Sequence, residues 1–306
     1  MRSITPGQRW IGTQLPIQAQ SSRFAAPWER TAGPAELARI ARACESAGFD
    51  YVAVCDHIAI PYAAAEAMGT HWADPIATLS WLAGQTSGIG LLTHVYVLPF
   101  RPAPVAAKQL ATLDHLSGGR LIAGIGAGHV EAEFELLGVP FAERGRVMDE
   151  RLPQLAQLLE HEFVDGFGAA PRPTQSPRPP LWIAGSSAPA RRRAASVGDG
   201  WLPQGPATDE MIDDLFARLD ANGRAVEEFA VGHITAPVHL GASREALGRY
   251  TVSGSAAEVA ERLLAHTPSR ANQLQIRMAA ASAEECADQY AQAGEELLPL
   301  LRSGIQ

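Results

Sequence analysis

A closed (β/α)8 barrel of the TIM type, an α/β fold, is what this sequence predicts, and three observations predict it. Short apolar, often β-branched runs alternate with helix-period segments from one end of the chain to the other. That alternation implies a parallel sheet with right-handed crossovers. About eight such pairs fit into 306 residues, the size of one barrel with insertions. The rival architecture, an open doubly wound sheet, carries a glycine-rich phosphate turn after its first strand. Here Gln14, Leu15 and Pro16 stand at that place without a glycine. No internal repeat or long linker divides the chain, so residues 1–306 are read as a single domain, with loop insertions at the mouth formed by the strand carboxyl ends.

Each element has its own signal. The first strand is the stretch WIGTQL, 10–15. Pro34 then opens a helix in which Leu37, Ile40, Ala41 and Cys44 recur at helical spacing, and Gly48 ends it. YVAVC, 51–55, is a β-branched run suited to a strand buried on both faces. Asp74-Pro75 opens a helix to about residue 82, 89–98 is the third strand, and 102–116 is a helix closed by Ser117-Gly118-Gly119. The fourth strand is 120–125, followed by helical patterns over 131–137 and 142–159. GFGAAPRPTQSPRPP, 166–180, is a loop by its Pro and Gly content. Strands at 181–184, 200–203, 231–240 and 273–278 then alternate with helices at 189–197, 209–222, 255–266 and 283–301.

Composition narrows the function classes. Apolar residues make up 46% and charged residues 19%, and the net charge is −8. A general nucleic-acid binder needs a positive field, which this balance denies. The three cysteines, Cys44, Cys55 and Cys286, form no C-x-x-C pair, and an odd count does not build a disulfide framework. The first ten residues contain no apolar leader, and no run approaches about 18 apolar residues. The expectation is a soluble cytoplasmic protein with no membrane or nucleic-acid partner. Lys108 is the sole lysine beside 24 arginines, an imbalance in keeping with GC-rich codon usage.

In a barrel of this kind the chemistry sits at the carboxyl ends of the strands. Those ends offer Gln14, then Asp56-His57, then Thr93-His94-Val95, then Gly126-Ala127-Gly128-His129. The later strands offer Gly185-Ser186-Ser187, His239 and Arg277. A Schiff-base aldolase needs a lysine at a strand end, but Lys108 lies in mid-helix. Metal-dependent hydrolases of this architecture gather close His and Asp ligands, and no such pair is present, so no metal is expected. A glycosidase needs two carboxylates across the sugar. Asp56 and Glu131 are candidates, but stacking aromatics are sparse at 7%. What remains is a mouth with histidines, one acid and two small-residue turns. Backbone amides at such turns, GIGAGH at 124–129 and AGSS at 184–187, can hold a phosphate. Gln14 and Arg277 are candidate substrate contacts.

The stretch 91–138, LLTHVYVLPFRPAPVAAKQLATLDHLSGGRLIAGIGAGHVEAEFELLG, resembles the central signature of the bacterial luciferase-like superfamily. AGFDYVAVCDH (47–57), PPLWIAGSSAPARRRAASVGDGWLP (179–203) and GSAAEVAERL (254–263) match in the expected order, so the resemblance covers essentially the whole chain. It implies a barrel that binds FMN or a 5-deazaflavin of the coenzyme F-420 type, most similar to the deazaflavin branch. Residue by residue, Asp56 and His57 match an acid-histidine pair facing the deazaflavin ring, with His57 as the proton relay. His94-Val95 matches a non-prolyl cis peptide behind the ring. Gly126, Ala127 and Gly128 match a cofactor-contacting turn, and Ala184, Gly185, Ser186 and Ser187 match the loop for the cofactor phosphate. His129 stands where some relatives carry a catalytic glutamate, which makes it the second catalytic candidate and argues for a different substrate.

The implied activity is hydride transfer between coenzyme F-420 and a small organic substrate. The alternatives are an FMN-dependent monooxygenase served by a separate flavin reductase, and a binding protein without turnover. A homodimer is expected from the resemblance. Specificity is expected in the loops 58–73 and 166–180. Plainer readings stand beside these: Ser186 and Ser187 as helix caps, the glycines as a tight turn, His57 as a partner that orients Asp56, His94 as packing, His129 as a surface helix-start residue, and Arg191-Arg192-Arg193 as a solvated helix face.

Overall fold

A computed structural model describes residues 8–19, 21, 25–248 and 250–302. The expectation about a leader segment concerns mainly residues 1–7, outside the described residues. Among those described, eight parallel strands close into a barrel: β1 (Trp10–Gln14), β2 (Tyr51–Val54), β3 (Gly90–Thr93), β4 (Leu121–Gly126), β5 (Leu181–Ala184), β6 (Gly200–Leu202), β7 (Ala230–Ile234) and β8 (Gln273–Gln275). Each strand pairs with its neighbour in the barrel order, and β3 closes the ring onto β4 through Leu91 and Leu92. The main crossover helices are α1 (Pro34–Ser46), α2 (Pro75–Ala83), α3 (Ala103–Leu116), α4 (Arg144–Glu160), α5 (Ala188–Val197), α6 (Asp209–Ala221), α7 (Ala256–Ala265) and α8 (Ala283–Gln292). The expected (β/α)8 architecture is present.

Strand alternation divides the core in two. Trp10, Tyr51, Ala53, Leu92, Ile122, Trp182, Leu202 and Ala230 fill the barrel interior. Trp182 anchors that layer, its ring 6.1 Å from Trp10 and 5.9 Å from Tyr51. The alternate residues, among them Ile11, Val52, Leu91, Ile183, Val231 and Leu274, face outward under the helices. At about 1.5–3 kcal/mol for each fully buried large apolar side chain, this double layer is the main source of stability.

The structure departs from the sequence reading in four places. The run 89–98 is not one strand. β3 stops at Thr93, and a displaced piece, Tyr96–Val97, pairs with the end of β4. The run 231–240 also divides. β7 ends at Ile234, and Val238–Leu240 pairs instead with Val252–Gly254 in a separate two-stranded sheet. His239 is therefore not a strand-end residue of the barrel. The last helix is interrupted by a wide turn at Ala293–Leu297 before Leu298–Arg302. Finally, the segment 166–180 lies at the amino face of the barrel, opposite the mouth, because it joins the end of α4 to the start of β5. Buried Asp114, near the end of α3, holds it there by accepting from the amides of Thr174 (2.8 Å) and Gln175 (3.0 Å). The Lys108 ammonium also donates to the Ala170 carbonyl of this segment. It cannot line the mouth.

Candidate active site

The mouth takes shape where β2, β3 and β4 end. β2 hands the chain to Cys55, Asp56 and His57. Nδ1 of His57 lies 2.8 Å from Oε2 of Glu133, a residue of the short helix Glu131–Leu136 that follows β4. Glu133 is only 1% exposed. Its other oxygen accepts from the amides of Ile58 (2.5 Å) and Ala59 (3.2 Å). Burial alone pushes this carboxyl up, but the His57 hydrogen bond and charge, with the two amides, outweigh it and hold the pKa below the ordinary value. A carboxylate can only accept, so Nδ1 carries the proton and a neutral ring leaves Nε2 as a base. Among the described residues no hydrogen bond engages Nε2. The ring is flanked by Trp72, with centroids 4.3 Å apart, and by His129 at 5.7 Å. His129 is exposed, and desolvation followed by the nearby His57 draws its pKa below the ordinary value.

Asp56 is placed differently from its neighbour. It is 3% exposed, and its oxygens accept from Arg101 Nη1 (2.5 Å), Arg101 Nη2 (2.9 Å) and the Val97 amide (2.8 Å). Burial pulls the Arg101 pKa down, but the Asp56 hydrogen bonds and charge more than offset it. Asp56 thus clamps the displaced strand piece to β2 and forms the wall of the mouth, with its carboxylate turned into the protein. His57 is oriented by Glu133, not by Asp56.

The His94–Val95 peptide is cis, as the resemblance implied for this position. Burial pushes the half-buried His94 imidazole down to about 4, so the ring is neutral at neutral pH. The glycines of 124–126 make room for the displaced chain. A Cβ on Gly124 would lie 2.0 Å from the Thr93 carbonyl oxygen, and one on Gly126 would lie 2.4 Å from Val95 Cγ2. Ala127 packs against the outer core, and Gly128 turns the chain toward the Glu133 helix.

At the end of β5, Ala184 and Gly185 lead to α5. Ser187 caps that helix, its Oγ accepting from the Ala190 amide at 3.4 Å. Ser186 Oγ accepts from the Gln204 amide at 2.9 Å. Both hydroxyls therefore have protein partners. The backbone amides of Ser186 and Ser187 have none among the described residues, and they sit at the positive end of α5. Of Arg191, Arg192 and Arg193, only Arg192 lies on a solvated face. Arg191 binds Asp214 and the Ser186 carbonyl, while the other two bind Asp149.

Across the barrel, Gln14 Nε2 donates to Cys55 Sγ at 2.5 Å. Burial pushes the Cys55 thiol up to about 11, so it stays protonated. Arg277 donates to buried Glu29 at 2.6 Å. His239 is buried apart from these residues, between the Ala279 carbonyl (3.0 Å) and Arg244 (3.3 Å). Among the described residues no group of three or more His, Cys, Asp or Glu side chains is disposed to hold a metal ion.

The arrangement thus brings together His57, Trp72, His129 and Glu133, and sets Asp56 behind them. Glu133 was not among the residues singled out from the sequence. Its signal was a glutamate next to Phe134, so that a carboxylate shares the buried side of a short helix with an aromatic ring.

A family model described as luciferase-like monooxygenase matches residues 12–299. An uncharacterized protein of Mycobacterium tuberculosis is 31% identical over 202 residues, 59% of this chain and 68% of that one. The FMNH2-dependent dimethylsulfone monooxygenase of Pseudomonas putida is 28% identical over 204 residues, 62% of this chain and 54% of that one. Among solved structures, the coenzyme F420-dependent tetrahydromethanopterin reductase of Methanopyrus kandleri superposes with a TM-score of 0.71 at 17% identity. That alignment covers 96% of this chain and 100% of the reductase, a likeness of fold.

Proposed function

The chain belongs to the luciferase-like monooxygenase family, and on that premise we propose that it moves a hydride between coenzyme F-420 and a small organic substrate. The observation that carries this reading is the His57–Glu133 pair at the mouth. Reduction of a polarised C=O, C=N or C=C bond needs a proton as well as a hydride. Protonated His57 can give that proton from Nε2, and Glu133 stabilises the charged ring that gives it. In the opposite direction Nε2 takes the proton from the substrate. When bound, the deazaflavin supplies or accepts the hydride, because carbon replaces N5 in its ring and suppresses reaction with oxygen.

The residues present fit such a cofactor. The free amides of Ser186 and Ser187 at the start of α5 suit its phosphate. Val95 lies over Gly126 and offers an apolar side chain to a flat ring. Trp72 and His129 flank the His57 ring and border the approach to it.

The second reading is an FMN-dependent monooxygenase that uses oxygen and depends on a separate reductase. The resemblance to the Pseudomonas putida enzyme favours it. Fluorescence titration of the purified protein with each cofactor separates the two. Coenzyme F-420 is expected to bind at least about tenfold more tightly than FMN, or about 1.4 kcal/mol. Equal or tighter binding of FMN overturns the choice in favour of the second reading.

A further inference from the structure

Two glutamines stand two positions apart on β8. Leu274 and Ile276 alternate with them and belong to the outer core, so Gln273 and Gln275 both face the barrel interior. Their surroundings differ. Gln273 is 1% exposed and donates from Nε2 to the Tyr51 hydroxyl. Gln275 lies one layer nearer the mouth, in register with Gly12 of β1 and Ile234 of β7, neither of which has a polar side chain. It is 5% exposed, and its Oε1 has no hydrogen-bond partner. Among the described residues none engages Nε2 either. The next side chain on this face, Arg277, is drawn to Glu29. Buried amides are nearly always paired, and an unpaired one destabilises the folded chain. A buried, inward-facing carboxamide at the mouth end of β8, with both functions unpaired, therefore calls for a polar partner from outside the chain.

We propose that Gln275 binds the cyclic imide edge of a flavin-type ring, Oε1 accepting from the ring N3–H and Nε2 donating to an adjacent ring carbonyl. A carboxamide presents one acceptor and one donor side by side, the complement of an N–H flanked by carbonyls. Flavin and deazaflavin share this edge, so the pairing serves either. The inference rests on the reading that such a ring occupies the mouth, and it is indifferent to which one.

The test uses FMN and coenzyme F-420, each with and without a methyl group on N3, against wild-type protein and Gln275→Met. Methionine keeps the approximate volume and removes both polar functions. Whichever ring binds wild type more tightly should bind Gln275→Met at least about tenfold more weakly, as loss of buried hydrogen bonds implies. N3-methylation should weaken wild-type binding by a similar factor and change Gln275→Met by less than about twofold, as expected when both changes remove one interaction. The ligand-free melting temperature should stay level or rise, because no existing hydrogen bond is lost. Gln275→Leu provides a second substitution of the same kind. Undiminished ring binding in Gln275→Met, an equal methylation penalty in both proteins, or a clear fall in ligand-free melting temperature in both variants overturns this inference alone. Failure of wild type to bind either ring overturns it together with the proposed function.

Discussion

Glu133 Oε2 and His57 Nδ1 meet at 2.8 Å across 76 residues of chain, and the contact makes the proton chemistry of the mouth a property of two strand ends. His57→Ala should lower kcat by roughly 10²–10⁴ with little change in cofactor affinity. Glu133→Gln should lower it by about tenfold or more, since the ring loses the charge that stabilises its protonated form. Glu133 acts through His57, so adding Glu133→Gln to His57→Ala should cost almost nothing further. Single-turnover rates on the three variants check this; additive losses would separate the two residues.

The Asp56–Arg101 pair is predicted to be structural. Removing one partner of a buried ion pair leaves an uncompensated charge and typically costs about 3–5 kcal/mol. Arg101→Met should therefore destabilise strongly, and Arg101→Met with Asp56→Asn should recover part of the loss. Urea denaturation of both variants measures it. A single variant as stable as wild type would contradict the clamp.

Gly126→Ala places a methyl carbon against Val95. Overpacking of this kind costs about 1–3 kcal/mol, and Val95→Ala in the same chain should relieve much of it. The coupling between the two sites, read from melting curves of the double-mutant cycle, should be well above the roughly 0.3–0.5 kcal/mol scatter of independent positions. Simple additivity would mean that the displaced strand adjusts freely.

Stability should fall in mild acid for a reason centred on His94. Burial pushes its pKa down to about 4 in the folded chain from 6.5. Above pH 6.5 the ring is neutral in both states and contributes no pH dependence. Between 6.5 and 4 the unfolded chain takes up the proton first, so unfolding is favoured as pH falls; below 4 the penalty is complete. Between pH 7 and pH 5 this amounts to about 2 kcal/mol. His129 and His233 are also shifted down and act with the same sign. Chemical denaturation at the two pH values should show a smaller difference for His94→Gln than for wild type. An unchanged difference would remove His94 as the source.

The alternation of strands and helices was legible because barrel strands are buried on both faces and read as short apolar runs. The division at 94–95 was not, since LLTHVYVL is apolar on either side of it. The division at 235–237 was signalled by Pro237, which a continuous barrel strand does not tolerate. The face on which 166–180 lies also followed from topology: a helix-to-strand connection runs along the amino face, whatever its composition. His57 was visible as a strand-end residue. Glu133 was hidden because its role depends on a partner far away in sequence, and Gln275 because nothing in a sequence distinguishes a paired buried amide from an unpaired one.

Lys108 projects from the outer wall of the barrel on α3 and touches the segment that covers the amino face. It carries the single side-chain amine in the chain. Acylating reagents at mildly alkaline pH therefore have one side-chain target, well removed in the fold from His57 and Gln275. With the more acidic α-amine blocked first, a dye or a surface tether attached there would leave the opening toward solvent, so that ring uptake can be followed on immobilised protein without blocking the entrance.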